Sequence, residues 1–386
     1  MKQHNRICIR RALGGLVMGL IIASGQAYSA GFAMTDQSAS ALGMANNFVA
    51  LADDPSALAY NPAGIAWQSG AGLMVGGSTF YRSASAALTA GGSVSNEGEF
   101  PTLWQVYGAW MPLDSNWGVG LGVNTPYALE NDWQNAVFGD QRVQLLVYRA
   151  SLDVIYAISS NLAVAAGGDW YYGRMDLDSA SSKFQGESFD SFGGHGSVMW
   201  RPWPAWSFGA IFRSGAKLKP DGNATGTVSG PAEVSLRLPD EARIGVAYDI
   251  LDGLKLEIDA SWMRWSVLKG LDLVGQGATE VNPFELDDTF GGGLGLVWTW
   301  RENAQFRFGY AYEQGASMKS HFSPLIVDAD SHRASLGAGA TLFGAHVDLA
   351  YAFSFYPNYK LDAGGTFDGK YRDGRHALMV SVSKRF

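Results

Sequence analysis

The residues able to do chemistry are few and do not assemble into an enzyme site. Six histidines (His4, His195, His321, His332, His346, His376) are scattered along the chain. His346 and Asp348 lie two apart on one face of an alternating segment, a spacing in which a carboxylate can orient an imidazole. A hydrolase would also need a serine nucleophile beside that pair. Ser354 shares the face but lies too far along it. The pairs Asp53-Asp54 and Asp287-Asp288 could offer oxygen ligands to a cation. They lack the surrounding ligand spacing and read as turn or strand-end carboxylates. Gly291-Gly292-Gly293 is followed by neither a helix nor a lysine, so it is not a phosphate loop. It suits a bend or the close approach of another segment. No enzyme, metal or cofactor is expected.

The elements that carry these residues follow from composition. The 386 residues are 47% hydrophobic yet only 17% charged, with 49 glycines and 13 tryptophans. Soluble domains carry roughly 25% charged residues, while mean hydropathy here is -0.03. Beyond residue 30 no apolar run approaches the ~20 residues of a membrane-spanning helix. Residues 1–29 read as a secretory signal, with Lys2, Arg6, Arg10 and Arg11, an apolar Ala12–Ala23 and small residues before a cut after Ser29. Its removal takes the formal charge from -8 to -12 and removes Cys8, the only cysteine. Disulfides and nucleic-acid binding are thereby excluded.

From residue 71 the chain alternates with period two. Leu254, Leu256, Ile258, Ala260 and Trp262 oppose Lys255, Glu257, Asp259 and Ser261; Val119, Leu121 and Val123 oppose Gly118, Gly120 and Gly122. Such segments predict fourteen strands, at 71–82, 103–111, 117–125, 145–158, 161–173, 190–201, 205–214, 241–250, 254–265, 289–300, 304–313, 332–342, 346–355 and 375–386. Short links alternate with long ones, the pattern of an outer-membrane barrel with periplasmic turns and outer loops. The expected fold is all-β: a 14-stranded antiparallel transmembrane β-barrel over residues 71–386. Tryptophan and tyrosine at strand ends (Trp104, Trp110, Trp170, Tyr171, Tyr172, Trp200, Trp203, Trp206, Trp298, Trp300) suit interfacial girdles. The final strand ends at Phe386 and resembles the signal read by the barrel-assembly machinery, with Lys384 as a departure.

Residues 30–70 lack this alternation and are too few for a core of their own. Asp36 could cap a short helix through Ser38–Ala45, and Asn61-Pro62-Ala63-Gly64 is a turn signal. A fourteen-stranded barrel is too wide for its own side chains to fill, so this segment is expected to be a small N-terminal hatch plugging the lumen. Here Ala30-Gly31-Phe32, Gln37 to Ala45, Ala52-Asp53-Asp54 and Asn61-Pro62-Ala63 resemble the hatch of the FadL/TodX family of outer-membrane transporters of long-chain fatty acids and aromatic hydrocarbons. Trp117 to Pro126, Leu238-Pro239-Asp240, Gly245 to Tyr248 and the Trp262–Trp265 region extend the resemblance over essentially the whole chain after residue 29.

The resemblance implies passive uptake of hydrophobic small molecules through an extracellular groove, an apolar lumen pocket and a lateral exit gated by the hatch. Gly31, Phe32, Asn61, Pro62 and Ala63 would form the gate, with a wall kink at Gly118, Gly120 and Gly122. Apolar loop residues Phe100, Tyr127, Trp133 and Phe322 would contact substrate, although packing among loops accounts for each equally well. Arg174 sits where an arginine of fatty-acid members holds the carboxylate. Pairing with Asp176 or a lipid phosphate is the competing account. The second basic position falls at Leu286-Asp287-Asp288, which disfavours a fatty acid and favours a neutral or aromatic compound. Outer-membrane lipid and lipopolysaccharide are the expected surroundings. The alternative function is a general porin or structural barrel for small polar solutes.

Overall fold

The computed structural model describes residues 31–96, 102–135, 139–179, 181–283, 285–301, 303–317, 323, 326, 328–356, 359–362, 364–365 and 367–386. The segment read as a signal, residues 1–29, lies outside them. Fourteen wall strands run β1 Gly70–Leu88, β2 Leu103–Met111, β3 Trp117–Asn135, β4 Gly139–Ser159, β5 Leu162–Asp178, β6 Ser182–Trp203 and β7 Trp206–Arg213. The second half holds β8 Glu241–Leu251, β9 Leu254–Met263, β10 Thr289–Trp300, β11 Ala304–Glu313, β12 Ser331–Leu342, β13 Ala345–Phe355 and β14 Gly369–Arg385. Each pairs antiparallel with its neighbour. β1 closes on β14 through a register running from Gly72↔Arg385 to Leu88↔Gly369. Closure pairs the first and last strands of the sheet with each other, which a wall in lipid requires.

Side-chain alternation decides which face meets lipid. Leu73, Val75, Val119, Leu121, Leu152, Val154, Ile258, Leu349, Leu378 and Val380 are exposed on the outside. Trp110, Trp117, Trp200, Trp203, Trp206, Trp298 and Trp300 are exposed beside the short turns, where a girdle belongs. Tyr171 departs from the expected girdle. It sits out of phase with Trp170 and Tyr172 and is buried inside the barrel.

Two of the segments expected as loops are strand. β3 and β4 continue to Asn135 and Gly139, and β5 and β6 to Asp178 and Ser182. Above the membrane the outer face turns polar (Arg174, Asp176, Asp178) while the inner face turns apolar (Met175, Leu177). The alternation of the lipid zone therefore reverses sign and no longer looks like a membrane strand.

Residues 31–69 fill the lumen, nearly all of them buried. Two four-residue helices, Ala39–Leu42 and Ala57–Tyr60, and a 3-10 turn, Pro62–Trp67, are joined by tight turns. The first helix is capped by Ser38 Oγ, which accepts from the Ala41 N–H at 3.2 Å. Asp36, read as the cap, is used elsewhere. Its carboxylate takes Arg333 Nη1 at 2.5 Å and Arg375 Nη2 at 3.3 Å from the wall. On the opposite wall, Asp259 accepts the Phe48 and Val49 amides at 2.9 and 3.2 Å, and Glu257 those of Ala50 and Leu51 at 2.5 and 3.1 Å. Close packing needs missing side chains. A Cβ on Gly120 would lie 2.2 Å from Leu58, and one on Gly309 2.1 Å from the Met44 backbone.

Candidate functional site

The third strand is interrupted where the hatch begins. β2 pairs with β3 from Trp110↔Val119 only as far as Val106↔Val123. Between β3 and β4 the register then shifts: Asn124 faces Arg149, and the next paired position is Tyr127 with Val147. One extra residue of β3 is accommodated, a bulge that bends the strand and reverses its facing. Val119, Leu121 and Val123 point outward, but after the bulge Tyr127 and Leu129 point into the lumen and are buried. The glycines read as the kink, Gly118, Gly120 and Gly122, lie in regular β3–β4 register before this break. The irregularity itself is at Asn124–Tyr127.

The hatch N-terminus takes up the edge that β2 leaves. The Met34 N–H donates to Pro126 O at 2.8 Å, and the Ala128 N–H to Phe32 O at 3.1 Å, with Ala33 bridged to Tyr127. Gln37 Nε2 donates to Thr125 O at 3.0 Å. Residues 32–37 thus act as a short added strand at the break.

From that position Phe32 enters an apolar cluster in the outer half of the lumen. The cluster is built by Leu129, Val143, Leu145, Val147, Met175, Leu177 and Phe184 of β3–β6 and by Leu218, Leu236, Leu238, Leu268 and Leu273 from the loops after β7 and β9. The Phe32 ring meets Trp265 edge-on at 4.6 Å and Tyr127 at 6.0 Å, and Trp265 meets Tyr127 at 6.2 Å. Among the described residues the buried Trp265 indole Nε1 has no hydrogen-bond partner. Gly31 adopts φ +64, and a Cβ there would lie 2.6 Å from Trp265. Its N–H donates to Asp328 Oδ2 at 2.9 Å, an oxygen that also takes the Ala316 N–H. Burial pushes the Asp328 carboxyl up to about 8 despite those two amide donors.

Beneath Phe32 a small cavity of ≈ 30 Å³ separates the hatch from the wall, lined by Met34, Tyr60, Pro126, Tyr127, Arg149, Glu241, Arg243 and Met263. Its cations are engaged: Arg243 Nε bonds Glu241, and Arg149 lies 3.8 Å from Asp169. Asp169 also binds Arg213 at 2.5 Å and His195 Nδ1 at 3.0 Å, while His195 Nε2 meets Asp153 at 2.6 Å. This paired ionic layer lies on the inner face of β4–β7 and balances its own charge.

The remaining expected site residues separate. Tyr127 joins Phe32, but Trp133 packs edge-on against Tyr371 at 6.4 Å in a different cluster. Arg174 faces outward, half-exposed, 3.7 Å from Asp176, and borders a surface pocket rather than the apolar cluster. Phe100 and Phe322 lie outside the described residues. Asn61 Nδ2 spans Val49 O at 2.8 Å and Val198 O at 3.1 Å, and the Ala63 N–H after Pro62 donates to Ser197 Oγ at 3.1 Å. This turn fastens the hatch to β6. Asp328 went unread because one acid in a loop carries no pattern. Glu257 and Asp259 were legible as inward carboxylates two apart on β9.

A family model described as outer membrane protein transport protein (OMPP1/FadL/TodX) matches residues 20–199 and 198–386. The chain belongs to this family. It is therefore an outer-membrane, multi-pass β-barrel transport protein. Outer membrane protein P1 of Haemophilus influenzae is 23% identical over 412 residues, covering 88% of each chain. In fold, the chain is similar to a Pseudomonas aeruginosa FadL homologue at TM-score 0.80 and 17% identity, covering 92% of this chain and 100% of the other. The Ralstonia pickettii toluene transporter TbuX matches at 0.71 and 16%, covering 90% and 98%. The Pseudomonas putida toluene transporter TodX matches at 0.71 and 15%, covering 95% and 100%. These family members are transport channels rather than enzymes.

Proposed function

We propose that this barrel carries small hydrophobic molecules passively across the outer membrane, with a neutral aromatic compound favoured over a fatty acid. The observation that carries the reading is Phe32. Its ring fills an aromatic site against Trp265 and Tyr127 while its backbone seals the break in β3. A ligand ring competing for that site would release the same residues that close the wall. Substrate would then leave sideways between β2 and β3 into the membrane, which spares it the aqueous periplasm. Several toluene transporters among the structural relatives support an aromatic cargo. So does charge: the arginines near the cluster are already paired with carboxylates, and Arg174 faces away from it.

A general porin is disfavoured because a polar solute needs a wet path, whereas residues 31–69 and the apolar cluster fill the lumen. The test is uptake of toluene and of oleate in a host lacking its own FadL, with and without residues 30–46. Toluene uptake that depends on those residues supports the reading. Failure with both substrates, from a barrel shown folded by its heat-modifiable migration, would overturn it. Conduction of small polar solutes by the intact chain would favour the porin instead.

A further inference from the structure

The outward face of β14 carries a cationic ledge just above its aromatic belt. Along this face, from the membrane outward, come Val382, Val380, Leu378, His376, Gly374, Arg372 and Lys370, all at one parity. Leu378, Val380 and Val382 are exposed apolar residues of the lipid zone. At the level of His376 an aromatic row crosses the wall. Tyr351 Oη meets His376 Nδ1 at 2.7 Å, Phe353 lies 4.8 Å from the His376 ring and Tyr81 6.0 Å. Such rows mark the edge of the hydrocarbon. Arg372 stands four residues further out, roughly 13 Å along the strand and about 10 Å in height once tilt is included. That height is where lipid headgroup phosphates lie, and Lys370 is one strand repeat beyond.

The ledge has a composition of its own. On β1 the register places Ser85 opposite Arg372 and Ala87 opposite Lys370. The short strand Ser93–Asn96 adds outward Ser95 and Ser93 beside them. On the other side, in the short strand Tyr359–Leu361, Lys360 stands directly across from Lys370. Like charges opposite one another across a ladder are destabilising without an anion between them. Lys360 is partly neutralised by Asp362 at 2.8 Å. The outward positions of β1 and β14 carry no acid. The inward Asp373 is committed to Arg82 at 2.7 Å.

We infer that Arg372 and Lys370, with Ser85 of β1 and Ser93 and Ser95 of the short strand beside it, bind the phosphate of an acylated, phosphorylated glycolipid of the outer leaflet. The guanidinium and ammonium supply charge, the hydroxyls meet sugar and phosphate oxygens, and the acyl chains lie down the face of Leu378, Val380 and Val382. Continuity of the cations with that lipid-facing column selects a tethered lipid over free phosphate. The inference is independent of the cargo.

Purified full-length protein in detergent, titrated with bis-phosphorylated lipid A and read by native mass spectrometry, tests it. Wild type should bind lipid A at least tenfold more tightly than a Lys370→Ser/Arg372→Ser variant, since each near-surface cation adds to binding of an anionic headgroup. Enzymatically dephosphorylated lipid A should lose affinity for wild type and show no difference between the two proteins. Lys219→Ser, which alters an exposed lysine paired with Glu233 at 3.6 Å, should match wild type. Heat-modifiable migration establishes that the double variant is folded. Equal affinity of wild type and double variant, or undiminished binding of dephosphorylated lipid A, would overturn the inference. Complete displacement by millimolar inorganic phosphate would overturn the assignment to a lipid.

Discussion

Replacing Phe32 by alanine tests the coupling between the aromatic site and the wall. Phe32 is 4% exposed and packs against two aromatic partners. Truncating a buried phenylalanine costs about 3–5 kcal/mol, and this loss falls on the docked hatch terminus alone, because an undocked Phe32 makes neither contact. At 1.4 kcal/mol per decade, the undocked population should rise at least about a hundredfold. The readout is hydrogen exchange of the Ala128 amide, whose acceptor is Phe32 O. Local opening governs its protection. Exchange at Ala128 should accelerate by that factor, while the neighbouring Tyr127 and Leu129 amides, paired with β4, should not. β9 and β12, fixed by hatch contacts remote from Phe32, should remain protected. Toluene uptake should lose saturability, since the closed state no longer competes with ligand. Unchanged protection at Ala128 would show that the strand pairing holds without the ring. The proposed link between ligand site and lateral gap would then be wrong.

Further outcomes follow from the anchors. Asp328 is raised to about 8 when docked against Gly31, whereas an exposed aspartate titrates near 3.9. The docked state binds the proton more tightly, so its contribution is full below about pH 4 and is lost as pH rises through about 8. Exchange at residues 31–34, corrected for base catalysis, should rise from pH 5 to 8, and Asp328→Asn should flatten that rise. For Asp36, burial alone would raise the carboxyl, but Arg333 and Arg375 hold it below its usual value. Its contribution is therefore present above about pH 4 and lost only as pH falls through that depressed value. Asp36→Asn leaves two buried arginines uncompensated, which costs about 3–5 kcal/mol; proteolysis of residues 31–69 should then begin at lower urea. Glu257→Ala with Asp259→Ala strips acceptors from four hatch amides, about 1–3 kcal/mol for each one left unpaired. That variant should release the hatch to protease while the barrel keeps its heat-modifiable migration; coincident loss of both would refute separate anchoring.

The barrel was legible because lipid imposes a single sign on alternation. Leu121, Leu152 and Leu378 must face outward, and small or polar residues must face in. The apolar lumen cluster was illegible for the same reason. On β5 the inward positions run Ala163, Ala165, Gly167, Asp169 and then Tyr171, Met175 and Leu177, while the outward ones pass from Val164 and Trp170 to Arg174 and Asp176. The strand leaves the membrane and its faces exchange character, so a search for lipid-facing alternation stops just where the lumen cluster begins. Tyr127 was named as a loop residue for substrate, but its place on the wall strand was hidden by the bulge. Strict alternation from Val119, Leu121 and Val123 sets it on the lipid side, and one added residue turns it inward. The hatch motif was legible as a pattern, but its anchors were not. Asp36, Arg333 and Arg375 meet only because β12 and β14 lie beside the same helix.

The break in β3 has a chemistry suited to being uncovered. An edge in lipid exposes polar backbone groups at several kcal/mol each, so a permanent gap would destabilise the wall. Here Pro126 removes one N–H from that edge at the outset. The carbonyls of Thr125 and Pro126 and the N–H of Ala128 are satisfied by the hatch rather than by β2. Three bonds from residues 32–37 therefore stand in for a strand pairing that β2 abandons after Val106. The Phe32 ring packs against Trp265 and Tyr127 beside those bonds, and on the proposed reading a hydrophobic solute would replace that contact. Asp328 fixes Gly31 behind it through two amide contacts rather than an ion pair, whereas Asp36 grips the rest of the hatch through two arginines and Glu257 and Asp259 grip it through four backbone amides. The division suits the proposed mechanism: a firmly bound plug would keep the lumen shut to polar solutes, while its first few residues, held by fewer contacts, would be the part that yields to a ligand.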